Sequence, residues 1–180
     1  SAYLLAGTRT EAKLLNTLAR RHASEAGHLT GATLDLRGRP LQVGDRIVLL
    51  RNMGGQLDVD TGARCRVDNG MIATITHINH HSSDLNIELA NGRRLQLTGD
   101  YVQAGCIDHG YATTIHKAQG LTCDDIYVVG PAGLYRESGY VALSRARNTA
   151  HLYATTRDAA NIAEPPHTTG IPLPTQNTDN

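Results

Sequence analysis

The chain has 180 residues, 40% hydrophobic and 19% charged, which suits one soluble domain, or one domain with a small insertion. Seventeen Lys and Arg offset seventeen Asp and Glu, so bulk positive charge is excluded as a means of holding nucleic acid, and only local patches remain. No apolar run reaches membrane-spanning length, the start lacks the charged segment of a signal peptide, and no G-x-x-x-x-G-K-[ST] loop occurs. A cytoplasmic protein without a membrane partner is expected, and an ATPase site complete within this chain is not.

In chain order, the short apolar run Tyr3–Ala6 reads as a buried strand. Gly7-Thr8-Arg9-Thr10 leads into a helix from about Glu11 to Ala26, with Thr8 and Glu11 at capping-box spacing and Gly27 as terminator. Leu14, Leu15, Leu18 and His22 are expected to line its inward face. Near Gly38 the pattern changes, and from Pro40 to Val102 the helical period is lost. Arg46–Leu50 reads as a strand, Asp68-Asn69-Gly70 as a turn before a strand Met71–Ile78, and Leu85–Leu89 with Arg93–Leu97 as a hairpin closed by Asn91-Gly92. Strands this short and this spaced suggest a small barrel, and Asn52–Thr61, with Gly54-Gly55, a mobile loop.

Beyond Gly105 the α/β character returns. The expected elements are a short helix Ala112–Gln119 closed by Gly120, a strand Ile126–Val129 broken by Gly130-Pro131, and a helix capped by Ser138 that runs through Arg147. A strand His151–Ala154 and a short helix from Asp158 follow, and the Pro-, Thr- and Asn-rich tail from about Glu164 reads as disordered. The organisation is an α/β domain in two parts, 1–38 and 105–162, interrupted by an all-β insertion, 39–104, and followed by the tail, 163–180.

Cys65, Cys106 and Cys123 lack pairing or C-x-x-C spacing and read as free thiols. His77, His80 and His81 have no cysteine or carboxylate pair at zinc spacing and read as a polar hairpin end rather than a metal site. Thr113 to Thr122 gathers hydroxyls, an imidazole and a lysine before a Gln-Gly turn, groups suited to phosphate oxygens or equally to a helix cap.

Thr114-Ile115-His116-Lys117-Ala118-Gln119-Gly120 resembles motif V of superfamily 1B, RecD-like helicases. Tyr140-Val141-Ala142-Leu143-Ser144-Arg145-Ala146-Arg147 resembles their motif VI, and Leu4–Thr10 the first strand and loop of their second RecA-like domain. The resemblance implies a RecA-like fold without Walker motifs, with an SH3-like insertion called 2B. It implies contacts to single-stranded DNA from Thr8, Arg9, Thr114, His116 and Lys117, and places Gln119, Gly120 and Thr122 near ATP. Many members carry Glu where this chain has Thr122, which weakens a ribose contact. Arg145 takes the role of arginine finger, a planar, permanently charged fork on the transferring phosphate. ATP and Mg²⁺ would be held with a preceding RecA-like half of the same parent chain, and the stretch alone would hydrolyse no ATP. Arg51, Arg64, Arg66, Arg93 and Arg94 of the insertion offer phosphate contacts or a solvated face. The Gln-Gly-Leu-Thr and Ser-Arg-Ala-Arg segments favour the helicase part of MobF-type conjugative relaxases. A RecD-like exonuclease V alpha subunit and a degenerate docking module are the alternatives.

Overall fold

The computed structural model describes residues 2–118, 123–130 and 146–154. A four-stranded parallel sheet is built from β1 (Ala2–Ala6), β11 (Ala112–Thr114), β12 (Cys123–Gly130) and β13 (Ala146–Ala154) in the order β11-β1-β12-β13. Tyr3 pairs with Ile126 and Leu5 with Val128, so these four side chains share one face and are buried there together. The expected helix over Ala112–Gln119 is replaced by β11 and a turn, because Ala112, Thr113 and Thr114 pair with Leu4, Leu5 and Ala6. Three such pairings outweigh the weak helical pattern of a segment rich in β-branched residues. The helix expected through Arg147 likewise gives way, at Ala146 and Arg147, to β13, which runs beside β12 from Ala146 to Ala154. Its remainder, the short helix from Asp158 and the tail lie outside the described residues.

Helix α1 (Arg9–Glu25) starts at the capping box read from the sequence. Glu11 N donates to Thr8 Oγ1 at 3.2 Å, and Thr8 N donates to Glu11 Oε2 at 2.9 Å. Its inward face is not the leucine stripe: Leu14 is 58% and Leu18 40% exposed, His22 is exposed too, and Ala12 is the buried residue. The helix docks along Ala12 and Asn16. Asn16 Nδ2 donates to Ala112 O at 2.9 Å, and Asn16 Oδ1 accepts from Tyr111 N and Ala112 N at 2.9 and 3.0 Å. An amide that replaces the missing pairing of a strand edge needs a small neighbour for close approach, and Ala12 supplies it.

Between α1 and β11 the chain is β-rich. β2 (Thr30–Asp35) and β3 (Pro40–Val43) form a two-stranded ribbon. β4 (Arg46–Leu49), β5 (Met53–Asp58), β6 (Arg64–Val67), β7 (Ile72–Ile78), β8 (Leu85–Leu89), β9 (Arg94–Leu97) and β10 (Ile107–His109) form an antiparallel sheet ordered β10-β4-β7-β8-β9-β5-β6. The short helix α2 (Gly99–Gln103) follows β9. Alternation puts Ile47, Leu49, Ile75, Ile87, Leu95, Leu97 and Ile107 into one core around Tyr101, whose hydroxyl donates to Arg51 O at 2.8 Å. Among the described residues the strand ladder does not close into the expected barrel, since β10 and β6 are its two ends. The stretch expected to be a mobile loop holds β5, anchored by buried Gln56, whose Oε1 accepts from Thr98 N at 2.9 Å.

Asp45, wholly buried at the β3–β4 turn, joins this sheet to the α/β part. Arg20 Nε of α1 donates to both of its oxygens at 3.0 and 3.1 Å, Tyr111 Oη donates to Oδ1 at 2.8 Å, and Gln42 N donates to Oδ2 at 2.7 Å. Burial and the bond to Asp45 push the Tyr111 phenol well above its ordinary pKa. Gly110 completes the joint: its N–H donates to Arg46 O at 2.8 Å, and a Cβ there would sit 2.6 Å from the Ile47 carbonyl carbon.

Asp45→Ala strands the Arg20 charge and two further donors, so a loss of about 3–5 kcal/mol is expected in urea unfolding, against about 1 kcal/mol for Tyr111→Phe. A second prediction concerns acid. The Arg93 guanidinium, with Thr61 N, holds Asp58 at about 2, below the ordinary carboxylate value. Its contribution is present above the unfolded value and is lost as pH falls through the folded one. Thermal stability should therefore drop between about pH 4 and pH 2, and this drop should be smaller in Asp58→Asn.

Candidate nucleic-acid interface

The carboxyl ends of parallel strands are where open α/β sheets hold ligands. At that edge β1 and β11 end side by side, with Ala6 opposite Thr114, and Ile115 N donates to Ala6 O at 3.0 Å. The loop Gly7-Thr8-Arg9 and the turn 115–118 therefore adjoin. Four of the five residues expected to touch a strand of nucleic acid, Thr8, Arg9, His116 and Lys117, are exposed there, and the fifth, Thr114, lies beneath them at 9% exposure.

The turn is shaped by burial. Ile115 and Ala118 join Tyr3, Leu5, Ile126 and Val128 in the core, which forces His116 and Lys117, between them, outward. Thr114 fixes the turn from below: its carbonyl accepts from Ala118 N at 3.0 Å and its hydroxyl from Lys117 N at 3.4 Å. Arg9 and Lys117 carry no ion pair among the described residues, so both charges are available to an anion. Thr8 is committed elsewhere. Its hydroxyl donates to Glu11 Oε2 at 2.9 Å while accepting from Glu11 N, and the Glu11 carboxylate already occupies the positive end of α1.

The insertion arginines are mostly spoken for. Arg93 Nε binds Asp58 at 2.8 Å, Arg94 pairs with Asp60, Arg66 Nε binds Asp68 at 2.9 Å, and Arg64 Nη1 donates to Gly55 O at 3.0 Å. Of the five, Arg51 alone lacks such a contact among the described residues, and the solvated, paired face prevails over the phosphate reading for the other four. Gln119, Gly120, Thr122 and Arg145 lie outside the described residues.

Sequence reasoning missed Asn16 and Tyr111, which carry the motif turn on α1, and Asp45, whose only signal is a carboxylate at the head of an apolar strand. It also missed the stack of Tyr127 on His151, with centroids 5.0 Å apart and planes at 10°, because strand register sets that contact.

Residues 109–153 match the model of the UvrD-like helicase C-terminal domain. The protein described as "Probable conjugal transfer protein TraA" from Sinorhizobium fredii is 32% identical over 165 residues, 87% of this chain and 14% of that protein. A conjugal transfer protein TraA from Rhizobium radiobacter is 32% identical over 157 residues, covering 86% of this chain and 13% of its own length. The chain thus spans about one seventh of the length of these TraA relatives. Pif1 helicase from Candida albicans shares the fold with a TM-score of 0.58 at 15% identity, over 87% of this chain and 45% of that one. Pif1 from Bacteroides, solved with ADP-AlF3 and single-stranded DNA, gives 0.55 at 18% identity, over 88% and 42%.

The capping box makes a testable separation. Thr8→Ala should lower stability by about 1 kcal/mol in thermal or urea unfolding, with affinity for a single strand almost unchanged, because its hydroxyl is already used within the helix cap.

Proposed function

We propose, since this chain belongs with the superfamily 1B helicase C-terminal domains, that it is the second RecA-like half of an ATP-driven, single-strand-translocating motor in a conjugative relaxase–helicase. The observation that carries the reading is the meeting of the Gly7–Arg9 loop and the 115–118 turn at the carboxyl edge of the parallel sheet, the turn lying inside the stretch that matches a helicase C-terminal domain.

Arg9, His116 and Lys117 take the phosphates of the strand, and Thr8 and Thr114 hold the two loops in shape. Gln119, Gly120 and Thr122, next in sequence, are assigned to ATP by the motif resemblance. Arg145 presents its fork to the γ-phosphate when the two halves close. The P-loop and the Mg²⁺ ligands belong to the preceding half, consistent with the lack of a Walker lysine in this sequence. The likeness to TraA over most of the chain supports the conjugative parent over an exonuclease. The antiparallel sheet takes the place of the SH3-like insertion. Its support is the single core and the bonds Gly70 N to Leu49 O and Met71 O to Leu49 N, both 2.8 Å, which bring the segment after β6 beside β4.

ATPase activity of the parent protein, with and without single-stranded DNA, tests the reading. DNA-stimulated turnover should fall by roughly 10³–10⁵ in Arg145→Ala while folding is retained. A wild-type parent without turnover would instead assign this domain to DNA or protein docking.

A further inference from the structure

A cleft of about 640 Å³ opens between α1 and the β2–β3 ribbon, and none of residues 115–118 lines it. Five cationic side chains line it, Lys13, Arg20, Arg21, Arg37 and Arg39, against one carboxylate, Asp108. Three of the cations are matched. Arg20 binds buried Asp45, Arg39 Nε binds Asp108 Oδ1 at 3.0 Å, and Arg21 Nε lies 3.9 Å from Glu25 Oε1. Lys13 and Arg37, on opposite walls, have no partner among the described residues. In a chain of zero net charge, this concentrates unmatched positive charge in a concave place.

Arg37 carries a second signal. Its φ of 54° is left-handed, a conformation that favours glycine, and Gly38 follows it at φ 78°. The turn is held by Gly38 N donating to Asp35 Oδ1 at 2.7 Å. The ribbon tip thus holds an arginine at a strained backbone position of the kind that clusters at binding sites.

We infer that the cleft between α1 and the β2–β3 ribbon is a second binding site for the phosphodiester backbone of nucleic acid, with Lys13 and Arg37 as its phosphate contacts. Arginine forks and hydroxyls suit phosphate oxygens, and Ser24 contributes a hydroxyl to the same wall. The inference rests for its ligand on the reading of the chain as a single-strand-binding domain. It adds a site that the motif turn does not include.

Binding of a fluorescein-labelled oligothymidylate by the 180-residue chain, followed by anisotropy over a range of salt, tests it. The slope of log K against log salt should shrink by roughly 1.4 in Lys13→Ala with Arg37→Ala, and by roughly 0.7 in Lys117→Ala. Arg37→Gly, which relieves the left-handed backbone, should be at least as stable as the parent chain and still lose about half of the double variant's change. Lys13→Arg should retain the slope. An unchanged slope in the double variant, with Lys117→Ala reduced, overturns the cleft and leaves the motif surface standing. The reverse pattern keeps the cleft and overturns the motif surface. Salt-independent binding, or equal competition by polyglutamate, overturns the cleft as a nucleic-acid site.

Discussion

A carboxylate without access to water holds this domain together. A buried charge is tolerated only when every oxygen is met by a donor, and Asp45 draws its donors from three stretches far apart in sequence. Arg20 comes from α1, Gln42 N from the end of the β2–β3 ribbon, and Tyr111 from the residue before β11. None of these elements can shift without exposing or orphaning part of the set. The same contact that ties the inserted sheet to the helix therefore also fixes where β11 begins, and hence where the turn after it emerges.

That turn shows how little chemistry is needed to aim a side chain outward. Ile115 and Ala118 go into the core because they are apolar, and His116 and Lys117 face outward because the two anchors leave them no other direction. In the inserted sheet Arg66, Arg93 and Arg94 are each paired with a carboxylate of the same sheet, and Arg64 is bonded to the Gly55 carbonyl. Unpaired positive charge is therefore concentrated at the strand-end edge and in the α1 cleft, with Arg51 apart from both, although the whole chain is neutral.

Signals that live within a few residues were legible in the sequence. The capping box of α1, the strand β1, and the turns before β7 and between β8 and β9 all depend on local spacing. What the sequence concealed depends on partners distant in the chain. Ala112–Thr114 begins a stretch that reads as a short helix, and the parallel pairing with β1, distant in sequence, decides for a strand. The leucines of α1 have the right period for a buried face, yet Asn16 decides the docking side by meeting the open backbone of Tyr111 and Ala112. The Gly54-Gly55 stretch reads as a loop until β6 and β9 flank it. Asp45 looked like an ordinary turn residue, because nothing nearby in sequence reveals that Arg20 and Tyr111 converge on it.

The close approach at Gly110 has a consequence for how such a protein changes over evolutionary time. The chain leaves the parallel sheet after α1 and returns at Gly110, whose backbone lies against Ile47 and bonds Arg46, while Gly44 lies against the His28 carbonyl in the same neighbourhood. Departure and return are thus close together, and beyond them the stretch from Thr30 to His109 touches the parallel sheet through Arg46, on Tyr3 and the Ala2 carbonyl, and Ile72. Lengthening a loop whose ends are already together adds only about 0.6 kcal/mol per doubling. The arrangement works as a socket: the inserted sheet is free to grow, shrink or be exchanged, provided that the few residues forming the socket, Asp45, Gly110 and Tyr111 foremost, stay as they are.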